Sequence, residues 1–157
     1  MQFTNYFLAS IISFLGLLIG IVLVKIAPEE QKPLKKYFLF CRKALLLLIF
    51  VFIIRYYYKS FPYLAALMLC CVLLLFFEFK LDLLRKSVLD YAAFGLVFFL
   101  SAKNQSLFTI ESSLILLYGV PTASFLYARK SKNNYKIFLY NSLFVLISVL
   151  LFVVTKN

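Results

Sequence analysis

Histidine is missing from all 157 residues, which removes imidazole metal sites, histidine-based nucleophile triads and histidine proton relays. Tryptophan is missing too. A chain so rich in Phe, Tyr, Leu and Lys is what a nucleotide bias in the coding sequence produces, so the lack of a tryptophan belt carries no weight. Acids are scarce: six Asp and Glu stand against seventeen Lys and Arg, leaving a net charge of +11. No paired catalytic carboxylates, Gly-rich phosphate loop or nucleophile elbow can be found. The three cysteines, Cys41, Cys70 and Cys71, have no metal or redox spacing, and the adjacent pair sits inside an apolar run, where cysteine acts as a small hydrophobe. Neither a metal nor a cofactor is expected. An enzyme is disfavoured, because a lipid-modifying site at the cytoplasmic interface would have only Glu29, Glu30, Glu78, Asp82 and Asp90 to work with.

What fills the chain instead is apolar surface. The composition is 64% hydrophobic and 15% charged, outside the range of soluble domains. The polar connectors are too short to fold alone, so residues 1–157 read as a single transmembrane domain. The expected class is all-α: a polytopic integral membrane protein, a six-helix bundle with short loops. Its spans are placed at 7–24, 37–58, 61–79, 88–102, 107–128 and 137–154. The first lacks the positive flank and cleavage site of a signal peptide and is read as retained. In the second, the uncharged run Ala44 to Ile54 is short enough for a re-entrant segment, and a full crossing requires counting Tyr37 to Tyr58. Arg42 and Lys43 then snorkel to one interface and Arg55 to the other, with Tyr56, Tyr57 and Tyr58 as interfacial anchors. Ser60 and Pro62 open the third span, and Ser87 to Asp90 fits a capping box that opens the fourth.

The basic residues punctuate these runs rather than forming one footprint, so nucleic acid is not the expected partner. Three clusters face one side: Lys25, Lys32, Lys35, Lys36, Arg42 and Lys43; Lys80, Arg85 and Lys86; and Arg129, Lys130, Lys132 and Lys136. The other side receives Arg55, Lys59, Lys103 and Lys156. Thirteen against four puts the clusters in the cytoplasm, against anionic lipid headgroups, and both termini outside a plasma membrane. Dropping the second span weakens the bias to ten against seven, so the charge pattern supports that span.

Ala9, Ser13, Gly16 and Gly20 recur on one face of the first span, with Gly16 and Gly20 forming a GxxxG pair. Such a stripe is either a seam for a homo-oligomer or larger membrane complex, or an intramolecular packing face, the simpler reading in a multi-span chain. Glu111, Pro121, Asp90 and Asn141 are the candidate polar path. Glu111 is followed by Ser112 and Ser113 and precedes a Gly119-Val120-Pro121 break, although a helix-start carboxylate and a structural proline kink explain the same residues. Asp90 doubles as a capping-box acid four residues after Lys86, Glu78 reads as an interfacial charge, and Asn141 reads as interhelical glue toward Asp90 or Glu78. Two functions stay open: a carrier or channel component for a small solute or ion, and a non-catalytic membrane subunit or scaffold that packs through the small-residue stripe. On the six-span reading, a reporter fused after Asn157 is extracytoplasmic in a topology assay, and a cytoplasmic signal overturns that reading.

Overall fold

Many large apolar side chains sit on the outside of this protein, and a set of polar ones lies inside among apolar neighbours. Leu8, Ile12, Leu69, Val72 and Leu146 are exposed, while Ser13, Arg42, Asp90, Glu111, Thr122, Asn141 and Ser148 are buried. Water would reverse that sorting, whereas in lipid an exposed leucine costs nothing and polar groups gather inward. The computed structural model describes residues 2–27, 29, 31–80, 83–129 and 134–156, with the side chains of 31, 32, 35, 78–80, 83, 84, 127–129, 134–137 and 156 outside the description.

All regular structure among these residues is helical: α1 (Phe3–Ile26), α2 (Gln31–Tyr56), α3 (Phe61–Lys80), α4 (Leu83–Ser101), α5 (Gln105–Arg129), α6 (Asn134–Asn141) and α7 (Leu143–Lys156). Four stretches are long and apolar enough to cross a membrane: Phe3–Ile26, Lys36–Tyr56, Gln105–Leu126 and Phe138–Thr155. The second span, doubtful from its uncharged run alone, is therefore part of an unbroken helix that admits Pro33 in its first turn. Within α3 the apolar helix Phe61–Phe77 is shorter. The last stretch runs through α6 and α7 with one interruption at Ser142. Helical hydrogen bonding continues across it, since Ser142 N–H donates to Phe138 and Leu146 N–H to Ser142.

Two local expectations are corrected. The fourth helix begins at Leu83, so Ser87 lies inside it and cannot cap it, and the proposed Ser87–Asp90 capping box does not form. Tyr57 is buried rather than anchored at an interface, and its hydroxyl donates to the carbonyl of Leu100 at 2.9 Å. A true cap appears at Asn104, whose Oδ1 accepts the N–H groups of Ser106 (2.9 Å) and Leu107 (3.1 Å) at the start of α5.

Contacts fix the helix directions. Gly16 lies against Leu116 and Gly20 against Val120, so α1 and α5 run parallel. Phe98 meets Phe108 and Asp90 meets Tyr118, so α4 and α5 are antiparallel. Phe14 meets Phe138, and Tyr6 donates a hydrogen bond to the Ser148 carbonyl at 3.1 Å, so the α6–α7 strut runs opposite to α1. Consecutive helices thus alternate, which places Lys25, Lys36, Lys43, Arg85 and Lys86 toward one end of the bundle and Arg55, Lys59 and Lys103 toward the other. The side chains of Lys32, Lys35, Lys80, Arg129, Lys130, Lys132 and Lys136 lie outside the described residues.

With little hydrophobic drive inside a bilayer, helices are held by close packing and polar contacts. Aromatic rings fill the centre: Tyr6, Tyr91, Phe94, Phe98, Tyr118 and Phe144 are fully buried and meet mostly edge-on, for example Phe94 on Tyr118 at 4.7 Å and 87°. Such pairs contribute about 0.5–1.5 kcal/mol each beyond their buried area. The closest backbone approach is between α1 and α5. A Cβ at Gly16 would overlap the carbonyl oxygen of Leu116, and one at Gly119 would sit 2.5 Å from the backbone of Gly16 and Leu17. By contrast, a Cβ at Gly95 would meet only the Ile147 side chain and the Phe144 carbonyl at 3.1 Å. Gly16→Ala and Gly119→Ala should each destabilise the detergent-solubilised protein by at least the ~1–3 kcal/mol typical of overpacking, and Gly95→Ala by less. Thermal unfolding in one detergent checks the order, and an equal response at all three sites would contradict the parallel α1–α5 contact.

Candidate functional site

A single charge inside an apolar bundle has to find a partner, and Arg42 finds two. It lies on α2 five residues beyond Tyr37, far enough into the apolar stretch that a straight helix points it at the neighbouring helices. The side chains of Arg42 and Asp90 are 4% and 3% exposed. Arg42 Nη2 donates to Asp90 Oδ2 at 2.8 Å, Arg42 Nε donates to the Tyr118 hydroxyl at 2.9 Å, and that hydroxyl donates to Asp90 Oδ2 at 2.5 Å. The result is a closed triangle of charge-assisted hydrogen bonds joining α2, α4 and α5. The expectation that Arg42 snorkels to an interface is therefore corrected: its guanidinium is an interior group, while Lys43, one residue and about 100° further round the helix, is exposed. Asp90, read from sequence as a local capping acid, is the long-range counter-charge of Arg42.

Arginine suits this place better than lysine. Its planar fork reaches a carboxylate and a phenol at once, and it is less strongly hydrated than an ammonium group. Tyr118 is rigid: its ring is wedged between Phe94 and Tyr91, whose rings lie at 4.7 and 6.0 Å.

Glu111 sits on the same inward face of α5 as Tyr118, two turns earlier, roughly 10 Å along the helix axis. It is fully buried, and neither carboxylate oxygen has a hydrogen-bond partner. The expectation of an interfacial carboxylate is thus replaced by an interior one. Phe108 and Ile115, one turn to either side, are buried as well, so the group is enclosed by apolar side chains at both neighbouring turns. Thr122 continues the same face beyond Tyr118, buried with its hydroxyl unpartnered, and the hydroxyls of Ser13 on α1 and Tyr91 on α4 are in the same condition. Burying a polar group without a partner costs several kcal/mol in an apolar medium. Such groups are therefore unusual, and here they gather on the inner faces of three adjoining helices.

The remaining candidates occupy different places. Pro121 is buried within α5, which continues through it to Arg129. Proline has no N–H to give the carbonyl of Leu117, so the ladder is one bond short at that turn. Gly119 acts as a spacer that lets the backbones of α1 and α5 touch. Asn141 is buried at the end of α6, three residues before Phe144, which packs on Tyr91. Of the small-residue stripe, Gly16 and Gly20 are covered by α5, Ser13 is buried and Ala9 partly so. The Ser124 hydroxyl also reaches toward the Gly20 carbonyl at 3.5 Å. The glycine face is therefore filled from within the chain and leaves no room there for a second protein. Glu78 and Asp82 lie outside the described side chains. Among the described residues no group of three or more Cys, Asp or Glu side chains could hold a metal ion.

Sequence reasoning missed Arg42 and Tyr118 as site members. A charge complementarity argument could have found the arginine, since Asp90 lies between Leu89 and Tyr91 and needs a cation from another helix, although Lys43 beside Arg42 offers a second candidate. Nothing in a lone tyrosine among leucines marks Tyr118. Removing one partner of a buried ion pair typically costs about 3–5 kcal/mol, while replacing both with apolar residues is often neutral. Arg42→Gln and Asp90→Asn should each cause a loss of that order in detergent unfolding, and Tyr118→Phe about 1–3 kcal/mol through the stranded Arg42 Nε. The double variant Arg42→Met/Asp90→Leu should be more stable than either single change, whereas simple additivity would show that the two side chains do not form one unit.

Compared with protein-family models, curated proteins and solved structures, the chain matches none, so its function has to be argued from its own residues.

Proposed function

We propose that this protein is a small six-crossing membrane carrier for protons or a small monovalent cation, in which Glu111 is the exchanging group and the Arg42–Asp90–Tyr118 triangle is a structural lock beside it. The basic loops then lie in the cytoplasm and both termini outside, as the positive-inside bias dictates. One observation carries the reading: the carboxyl of Glu111 is wholly buried and has no partner. Among the described residues the buried charged side chains are Arg42, Asp90 and Glu111. The first two cancel, which leaves Glu111 to be balanced by whatever small positive species reaches it. An ionisable group inside a membrane bundle is costly to keep and marks an ion or proton route by default.

The conformation described is closed, with the buried side chains of Phe108 and Ile115 on the turns to either side of Glu111. Opening requires α5 to move, and its weakest turn is the one before Pro121. A second reading, a non-catalytic membrane subunit, is favoured by the filled aromatic centre of Tyr6, Phe94, Phe98 and Phe144.

Reconstituted vesicles separate the two. With a proton or potassium gradient imposed, wild-type protein should show flux, and Glu111→Gln should abolish it while leaving the unfolding temperature unchanged or raised. Dicyclohexylcarbodiimide, an apolar reagent for carboxylic acids, should modify the α5 peptide of the wild type, with protection by the transported cation. Absence of flux in the wild type, or equal flux in Glu111→Gln, removes the carrier reading and leaves the subunit.

A further inference from the structure

Away from the triangle, at the end of the bundle opposite the basic loops, three clefts run into one another. The innermost, about 270 Å³, opens sideways between α3, α4 and α7 and is walled by Leu67, Cys70, Ala93, Leu96, Val97 and Leu151. Through Tyr63, Phe99 and Leu100 it continues into a second space of about 420 Å³ that reaches Lys103 and Thr155. Past Ala102 and Lys103 a third, of about 530 Å³, is edged by Gln2, Asn5, Gln105 and Thr109. Among the described residues polarity thus changes along one path: apolar walls, then one cation, Lys103, then uncharged hydrogen-bonding groups. Lys103 stands at the junction and belongs to both polar sections. Its ammonium lies 5.1 Å from the centre of the Tyr63 ring, and among the described residues no carboxylate pairs with it.

That gradient matches an amphiphile with one negative charge. We propose that the cleft holds a single anionic phospholipid, with an acyl chain between α3, α4 and α7 and the headgroup phosphate on Lys103. Charge complementarity selects this occupant over a zwitterionic lipid. The phosphate receives a cation that no carboxylate among the described residues pairs with, and the rest of the headgroup meets amide and hydroxyl side chains able to bond glycerol-type hydroxyls. The site belongs to the leaflet facing away from the basic loops, so it is separate from the anionic surface those loops address. A chain seated there also fills the space beside α3, whose outer residues Met68, Leu69, Val72 and Phe76 are exposed to lipid. The inference stands independently of any role for Glu111.

Native mass spectrometry tests it directly. Full-length protein is equilibrated in mixed micelles holding equal amounts of dioleoyl phosphatidylglycerol and dioleoyl phosphatidylcholine, and the lipid retained in the gas phase is read. The wild type should retain one phosphatidylglycerol in preference. Lys103→Gln should cut that preference about fivefold, the worth of one near-surface cation. Lys59→Gln, a charge removed at the same end at a residue that does not line the cleft, should leave the preference unchanged. Free glycerol phosphate should not displace the lipid, because it lacks the tail. Equal retention of the two lipids, a wild-type preference in Lys103→Gln, a matching loss in Lys59→Gln, or displacement by glycerol phosphate would each overturn the proposal.

Discussion

A guanidinium taken out of water must be met by a counter-charge held at the right place, and that requirement organises the interior of this bundle. Arg42 enters from α2, Asp90 meets it from α4, and the Tyr118 hydroxyl closes the triangle from α5. Mutual attraction in a low-dielectric interior offsets desolvation only when the geometry is good and the remaining donors and acceptors are used. The phenol provides that use: it accepts one guanidinium N–H and returns its own proton to the carboxylate. Three helices that hydrophobicity alone would leave free to slide in lipid are thereby held in one register.

From that fixed point the other helices follow by contact. The register of α5, set at Tyr118, determines which residues of α5 face α1, and those are Leu116, Gly119, Val120 and Ala123 against Gly16 and Gly20. Below the triangle, Tyr91 and Phe98 of α4 pack on Phe144, and Tyr6 of α1 ties to the Ser148 carbonyl, so the α6–α7 strut is gripped from both sides. The arrangement also restricts motion. With backbones touching, α1 and α5 can move only as a pair, since separating them exposes a glycine face to lipid chains that fill it poorly. On the proposed carrier reading, the opening at Glu111 falls between that pair and α2 with α4, the boundary the triangle bridges.

Much of this architecture was legible from hydropathy and charge, because both act through properties that do not depend on neighbours. Apolar length marked the helices, and the alternation of basic and weakly charged connectors matched the alternating helix directions. The GxxxG pair of α1 identified a close-packing face without saying what covers it; the answer lay in Gly119, which looked like part of a proline break. Sequence failed where a local explanation hid a distant one. Arg42 beside Lys43 read as one interfacial pair, yet the step of about 100° per residue turns one inward and the other outward. Ser87 to Asp90 satisfied a capping pattern, but the helix starts a turn earlier and the carboxylate is used by Arg42 of another helix, 48 positions earlier in the chain. Tyr57 sat in a run of three tyrosines and only packing distinguished the buried one.

On the proposed carrier reading, the triangle also decides which acid exchanges a charge. Asp90 accepts from both a guanidinium and a phenol, so bringing a proton or cation to it means first breaking two strong hydrogen bonds and stranding Arg42. Glu111 has no such obligations, since neither of its carboxylate oxygens has a hydrogen-bond partner. The same helix thus borders two carboxylate neighbourhoods with opposite properties: around Tyr118, a polar set whose members are hydrogen-bonded to one another, and two turns away, a buried acid whose oxygens have no hydrogen-bond partner. A buried network stabilises when every member is satisfied. Completeness at one level of α5 offsets incompleteness at the other, since a bundle with both levels unpaired would lose the polar contact that ties α2, α4 and α5 together.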